Sequence, residues 1–457
     1  MSNTYLNYDD TGLEINGVKQ SFLFNPEDIY HPSYYSKLYS EKKYTYANTL
    51  YAQFFIQKYL PVENSLRTIS EKIFKINKIN FKQVLLFDMD LNLKYGFKFY
   101  LCQLLYNLNI VYTWIKLFIY SGISFFIAFK SSTKHSATIE DKLVIANCNT
   151  SLLKLKNHFL KENNNLRILV DPIQVKNEES FFNLQSRYNL IKLIVPSLKL
   201  AYSNYLESIE LMRLMSKNKY ADLIVRDYLL KRVFYTALFE LMLQKTLEEN
   251  TVKTLYSGVR DERYSYIMQK ICNKLSIDTI CIPHGLAYGY KYPNGIFGNK
   301  YLAYSNLEAN RLSEIYIGAK QKFISKNDNI QSTKFQPKYN LVYFTNSRDI
   351  SGDKSNMSNL LTYNETLMVR LHPNDLKSNY KDLDGISFVD NFSDSISAKY
   401  IVSKPSTVLL EGLKNGCKPV ALLLSKFDIF SHQQYPAFAD NGIKKIYDLK
   451  TLKSYLS

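Results

Sequence analysis

The sequence predicts two open, largely parallel α/β domains joined in series. Three observations carry that expectation. Short β-branched or apolar runs bounded by turn residues alternate with longer stretches of helical period. The alternation breaks once, across a polar tract at 318–338 that contains KNDNIQSTKFQPK and lacks an apolar period. Beyond it the strand-like runs resume and continue towards the carboxyl end.

In the first half the strand candidates are Val84–Phe87, Leu143–Ala146, Arg167–Val170, Lys192–Val195, Lys253–Tyr256 and Thr279–Ile282. Between them, Ala221–Glu249 places Leu223, Val225, Leu229, Val233, Leu238, Leu241 and Leu243 at helical spacing, which reads as a core-facing stripe. After the polar tract the candidates are Leu341–Phe344, Leu367–Leu371, Ile386–Val389, Tyr400–Val402 and Pro419–Leu424. The expected division is therefore a domain over 1–317, with a Tyr-rich N-terminal extension, a linker over 318–338 and a second domain over 339–457.

Composition fits a folded chain of this size. Of the 457 residues, 46% are hydrophobic and 22% charged, enough apolar material for more than one core. The formal charge of +17 favours phosphate-bearing partners or an anionic membrane surface. Because the basic residues are spread evenly and no nucleic-acid-binding module is recognisable, nucleic acid is not an expected partner. The five cysteines form no Cys-x-x-Cys pair, in keeping with a reducing cytoplasm, and Met1–Asp10 lacks the basic-then-apolar pattern of a signal peptide. The segment 109–129 is apolar apart from Lys116 and a few small polar residues. It is expected to form two short helices broken at Ser121-Gly122, placing the protein peripherally on the inner face of the cytoplasmic membrane, with a single span as the alternative.

Two elements of the second half can carry chemistry. Arg370-Leu371-His372-Pro373 ends a strand and opens a polar loop, and ligands of open parallel sheets bind at strand carboxyl ends. A histidine there can donate to a phosphate oxygen or protonate it as a leaving group departs. The second element runs from strand Tyr400–Val402 through Lys404-Pro405-Ser406-Thr407 into an amphipathic helix. Such a turn aims hydroxyls and free helix amides at one point that attracts phosphate, although Ser and Thr are also ordinary helix caps. Glu411, four residues beyond Thr407, shares its face and could take a ribose hydroxyl.

Read together, the His372-Pro373 loop and the Ser406-Thr407 turn resemble the donor domain of bacterial surface-polysaccharide glycosyltransferases. The bacterial sialyltransferases and polysialyltransferases and the Kdo transferases use a His-Pro motif and a later Ser-Ser/Thr motif to hold the phosphate of a CMP-sugar. The resemblance spans Leu341–Leu424. It implies a GT-B fold, two Rossmann-like domains facing each other across a cleft. It further implies inverting, metal-independent transfer from a nucleotide-sugar donor to a glycan or lipid-linked glycan, with no cofactor. His372, Pro373, Ser406, Thr407, Glu411, Arg370 and Lys404 are the expected donor-binding residues.

In the first half, Ser257-Gly258 and Pro283-His284-Gly285 each follow a candidate strand. His284-Gly285 is similar to the His-Gly element of the broader superfamily, which includes the glycerol- and ribitol-phosphate polymerases of teichoic acid synthesis. That likeness leaves CDP-polyol phosphate transfer open as a second reading, and a non-catalytic envelope-assembly scaffold as a third. Asp261 and Glu262 are the first candidates for the base that takes the acceptor proton, with His284 next and His372 completing the catalytic set. Arg260-Asp261-Glu262-Arg263 lacks the Gly of the sialyltransferase acidic motif, and both carboxylates equally suit a helix start. Arg311 and Lys338 could neutralise an acidic ligand, or be solvated surface charge. The Asp-Met-Asp at 88–90, which follows a candidate strand, is not expected to bind metal.

Overall fold

A computed structural model describes residues 6–9, 12–15, 18–20 and 92–456, apart from 135–138, 140, 162–165, 214–220, 261–263, 288–295, 317–320, 326–335, 347–348, 363–364, 374 and 434. The candidate strand at 84–87, the Asp-Met-Asp at 88–90 and the carboxylates Asp261 and Glu262 lie outside the described residues. Strands β1 (Leu6–Asp9), β2 (Gly12–Ile15) and β3 (Val18–Gln20) make a small antiparallel sheet.

By its internal contacts the chain divides into two bodies. One comprises Met1–His284, Tyr290–Leu302 and Gly318–Lys322; the other comprises Gly285–Gly289, Ala303–Ile317 and Phe323–Ser457. The division thus differs from the single break at 318–338 expected from the polar tract. Residues 322–325 within that tract form a strand, and Ala303–Ile317 groups with the second body.

Helices α1 (Asn92–Asn107) and α2 (Asn109–Ser131) come first, followed by β4 (Lys142–Ala146), α3 (Asn149–Lys161) and β5 (Ile168–Val170). A helical layer follows: α4 (Arg187–Lys192), α5 (Ile194–Arg213), α6 (Ala221–Leu230) and α7 (Val233–Glu249). Then come β6 (Thr254–Ser257), α8 (Ser265–Leu275), β7 (Asp278–Cys281), β8 (Lys300–Ala303), α9 (Asn306–Ile315) and β9 (Lys322–Ser325). The sheet order is β5-β4-β6-β7-β8-β9, with β5 through β8 paired in parallel. Strand β4 is buried from Leu143 onwards, as expected of a central parallel strand covered on both faces. Val144, Ala146, Leu152, Leu155, Phe159 and Val170 form one part of this body's core. Another is aromatic, with Phe181 edge-on to Phe239 at 4.7 Å and to Tyr264 at 5.6 Å.

Two expectations are corrected here. Lys192–Val195 is not a strand: Ser186 caps α4, and after Leu193 the chain re-enters helix as α5. Pro196 stands in the first turn of α5, where its missing amide breaks no intrahelical bond. Nor does Ser121-Gly122 break the apolar segment, because α2 is one 23-residue helix. Its buried face is Thr113, Leu117, Ser121, Ser124 and Ala128, while Ile110, Ile115, Phe118, Ile119, Ile123 and Phe126 are each more than half exposed. Leu117 apart, small and hydroxyl side chains face inward and large apolar ones outward, the reverse of an ordinary surface helix.

The second body contains β10 (Tyr339–Phe344), α10 (Ile350–Leu361), β11 (Leu367–Arg370), β12 (Ile386–Phe388), α11 (Phe392–Ser395), β13 (Ala398–Ser403), α12 (Thr407–Lys414), β14 (Lys418–Leu422), α13 (Lys426–Gln433), β15 (Lys444–Ile446) and α14 (Leu449–Leu456). All its strands pair in parallel in the order β12-β11-β10-β13-β14-β15. Apolar clusters cover both faces. Tyr343, Val369, Val402, Val420 and Leu422 lie on one; Val342, Ile401, Leu409, Ala421 and Phe438 lie on the other. Each body is a doubly wound, Rossmann-like α/β unit, so the chain has the two-domain α/β content of the GT-B type.

Candidate functional site

In the second body the sequence order of the strands reverses direction between β10 and β13, whose ends pair as Phe344 with Ser403. Where the connections diverge, the strands' carboxyl ends leave a crevice that open α/β sheets use for ligands. Three segments reach this end of the sheet. Thr345–Asp349 follows β10, Leu371–Asp375 follows β11, and Lys404–Ser406 follows β13. The fold therefore brings His372-Pro373 and Ser406-Thr407 to the same sheet edge, although 34 positions separate the two motifs.

The main chain of the His-Pro loop is held by its neighbours. The His372 amide donates to Thr345 Oγ1 at 3.0 Å, and the Asp375 amide donates to the His372 carbonyl at 2.8 Å. Asp375 is the organiser. Its carboxylate accepts from Thr345 Oγ1 at 2.7 Å, Tyr380 Oη at 2.6 Å, Asn379 Nδ2 at 2.8 Å and the Leu376 amide at 2.8 Å. Burial acts to raise its pKa, but these donors together hold it below the usual carboxylate range. His372 and Pro373 are exposed.

At the second motif Ser406 is the extended N-cap residue of α12, yet its hydroxyl makes no cap hydrogen bond. Its main-chain carbonyl accepts from the Leu409 amide at 3.1 Å. Ser406 and Thr407 are half-buried, and no acidic residue occupies the first turn, so the positive end of the helix is uncompensated from within. Glu411 lies one turn further along the same helix and is half-buried.

Lys404 and Arg370 are committed elsewhere. Lys404 is 7% exposed, and its ammonium pairs with Asp349, the residue that caps α10 through the Gly352 amide at 3.0 Å. Burial alone would lower the ammonium pKa; the fields of Asp428, Asp349 and Asp353 override it and hold the group above its ordinary value. The same lysine holds the Asp349 carboxyl down against the effect of burial. Asp353, fully buried behind it, is pushed by burial to about 7 despite donors from the Asn346 amide and Tyr343 Oη. Arg370 Nη1 donates to the carbonyls of Val389, at 3.0 Å, and Asp390, tying β11 to the end of β12. Arg311 and Lys338 sit in surface ion pairs with Glu314 and Asp394, each at 2.7 Å.

In the first body the connections diverge between β4 and β6. His284 follows β7, next to β6, and both its amide and its Nδ1 reach the Gly258 carbonyl, at 3.2 and 3.0 Å. A carbonyl only accepts, so Nδ1 carries a proton, and Nε2 is the ring nitrogen left for another partner.

Sequence reasoning missed Thr345, Asp349, Asp353 and the full role of Asp375. Their shared signal is polarity just beyond a strand's apolar run, too common to single them out without the strand order.

No family model matches the chain, and no curated protein matches it in sequence. Among solved structures it is similar to the UDP-GlcNAc 2-epimerase of Methanocaldococcus jannaschii, with 12% identity and a TM-score of 0.38 over 68% of this chain and 90% of that one. It is also similar to the UDP-GlcNAc 2-epimerase of Neisseria meningitidis bound to UDP-GlcNAc, with 10% identity and a TM-score of 0.39 over 69% and 90% of the two chains. A third likeness is to the S. aureus MnaA–UDP complex, with 10% identity and a TM-score of 0.35 over 63% and 80%. Resemblance this distant assigns no activity.

Proposed function

We propose that the protein is an inverting glycosyltransferase that moves a sugar from a nucleotide donor, favoured as a CMP-activated sugar of the sialic acid kind, to a bacterial surface glycan without a metal ion. The observation that carries the reading is the meeting of His372 and the Ser406-Thr407 turn at the switch point of the second sheet, with the Ser406 hydroxyl not used as a cap. In this reading the first amides of α12 and the two hydroxyls hold the donor phosphate. His372 stabilises or protonates that phosphate as it leaves, and Glu411 meets the ribose. Lys404 shapes the turn through Asp349, and Arg370 braces the strand ends. His284, with Nε2 open, takes the acceptor proton, alongside Asp261 or Glu262.

The nucleotide test is direct. CMP is expected to raise the Tm of the purified protein by more than CDP or UDP at equal concentration, and Ser406→Ala with Thr407→Val should remove the shift. A larger shift with CDP would point to polyol-phosphate transfer, and no shift with any of the three would sink the donor-site reading. Transfer is expected to survive EDTA.

The exposed apolar side of α2 continues onto α1 at Phe97, Tyr100 and Leu104 and onto α5 at Val195 and Leu206. We assign this surface to an anionic bilayer, because exposed lysines 98, 130, 192 and 199 stand on or beside the same helices and the whole chain carries +17. Trp114, stacked on Tyr202 at 5.0 Å, supplies the amphipathic ring pair common at membrane interfaces. Flotation with vesicles of phosphatidylglycerol and phosphatidylcholine should recover the protein in the lipid fraction, and Phe118→Glu with Phe126→Glu should release it. Concentration-dependent dimerisation with no lipid binding would assign the surface to a second copy instead.

A further inference from the structure

The first body holds a set of polar groups that its own fold leaves unsatisfied. Asn147, the residue after β4, is 2% exposed, and neither its Oδ1 nor its Nδ2 has a hydrogen-bond partner. Ser151, in the first turn of α3, is fully buried and its Oγ is likewise unpartnered. Buried side-chain amides and hydroxyls are ordinarily satisfied, and leaving three such atoms bare within five residues is costly unless something else completes them.

Their setting indicates what completes the two donors, Asn147 Nδ2 and Ser151 Oγ. Cys148 closes the start of α3, its Sγ accepting from the Ser151 amide at 3.4 Å and its carbonyl from the Leu152 amide at 2.9 Å. The amides of Asn149 and Thr150 remain at the positive end of a 13-residue helix whose first turn has no acidic residue. Gly258, after β6, packs against Ser151 so closely that a β-carbon there would collide with Ser151 Oγ. Its carbonyl is the one that fixes the His284 ring. Asn147, Ser151, Gly258 and His284 thus cluster at the carboxyl ends of β4, β6 and β7, where this sheet's connections diverge.

We infer that this cluster is a second binding site, which takes an oxyanion, a phosphoryl or carboxylate group, on the acceptor substrate. Asn147 Nδ2, Ser151 Oγ and the free α3 amides donate to its oxygens, and a hydroxyl of the same molecule lies toward His284 Nε2. The inference rests on the glycosyltransferase reading for the word acceptor, but not for the presence of the site.

The test uses Asn147→Leu, of nearly the same shape. Removing an unpartnered buried amide should raise the Tm of the ligand-free protein by about 2–4 °C, whereas loss of a structural hydrogen bond would lower it. Histidine NMR then reads the two bodies separately. Titrated inorganic phosphate should move the imidazole signals of both His284 and His372 in the wild type, and that of His372 alone in Asn147→Leu and in the milder Ser151→Ala. Acetate acting like phosphate at His284 would mark a carboxylate source, and phosphate acting alone a phosphoryl one. If His372 responds and His284 does not, the second site is refuted while the donor reading stands. If His284 alone responds, the second site stands and the donor reading fails. A lowered Tm in Asn147→Leu with the His284 response unchanged would also overturn the inference.

Discussion

Replacing His372 by Ala is expected to lower kcat about 10²- to 10⁴-fold while leaving the fold intact, the range of a positioned acid or phosphate donor. The two halves of that expectation have separate causes. The loss comes from removing an exposed imidazole at the end of β11, on the sheet edge shared with the Ser406-Thr407 turn. The preserved fold follows from how the loop is held, through the His372 amide, its carbonyl and the four donors on Asp375, all of which survive the substitution. Stability should therefore change by no more than about 0.5 kcal/mol, as for a surface position. Activity is measured as release of nucleotide from the donor, and folding by Tm and circular dichroism. Full activity in a well-folded variant would remove His372 from the mechanism.

Lys404→Met should have the opposite profile, with loss of stability first. The ammonium stands among Asp349, Asp353 and Asp428, and removing it leaves buried acidic groups without their cation. Breaking a buried pair from one side costs about 3–5 kcal/mol. Asp349 is 36% exposed, so solvent recovers part of this, and a loss of about 2 kcal/mol is expected. The raised lysine pKa contributes stability that is complete below its unfolded pKa and disappears as pH rises through the folded one. For Asp349, whose pKa is lowered, the contribution is present above the unfolded carboxylate pKa and lost as pH falls through the folded value. Wild type and variant should therefore differ most at neutral pH and converge in acid. Denaturant unfolding at pH 7 and pH 3 measures both; an equal difference at the two pH values would disprove the pairing.

What the sequence could disclose depended on whether a feature is local. The strands that end at His372 and at Lys404 were legible because a buried parallel strand writes its own apolar run and its end is marked by polar residues. The same rule misread Lys192–Val195, where a β-branched run belongs to the junction of two helices fixed by the Ser186 cap upstream. Strands β9 and β15 escaped because Lys322-Phe323-Ile324-Ser325 and Lys444-Lys445-Ile446 are short and half polar, as edge strands are. The break expected at Ser121-Gly122 failed because Ser121 faces the packed side of α2 and Gly122 is exposed with no atom crowding it. The supporting carboxylates were invisible for a different reason. Asp349 meets Lys404 across 55 positions and Asp375 meets Thr345 across 30, and only the strand order makes them neighbours.

The way the backbone is shared between the bodies bears on how the protein is made. Gly285–Gly289 and Ala303–Ile317 leave the ribosome before the strands of the body they join, while Gly318–Lys322 of the first body emerges after them. Glu308 illustrates the delay: it stands in the first turn of α9, which Ser305 caps, and accepts from the Ala287 and Tyr304 amides, at 3.0 and 2.6 Å, inside a body whose sheet begins at Tyr339. The second body therefore cannot be completed from the residues after the polar tract alone. The first body is complete once Lys322 has emerged, whereas the second must hold two early segments until its sheet is made, and a gene cut in the polar tract beyond Lys322 leaves the second fragment without Gly285–Gly289 and Ala303–Ile317.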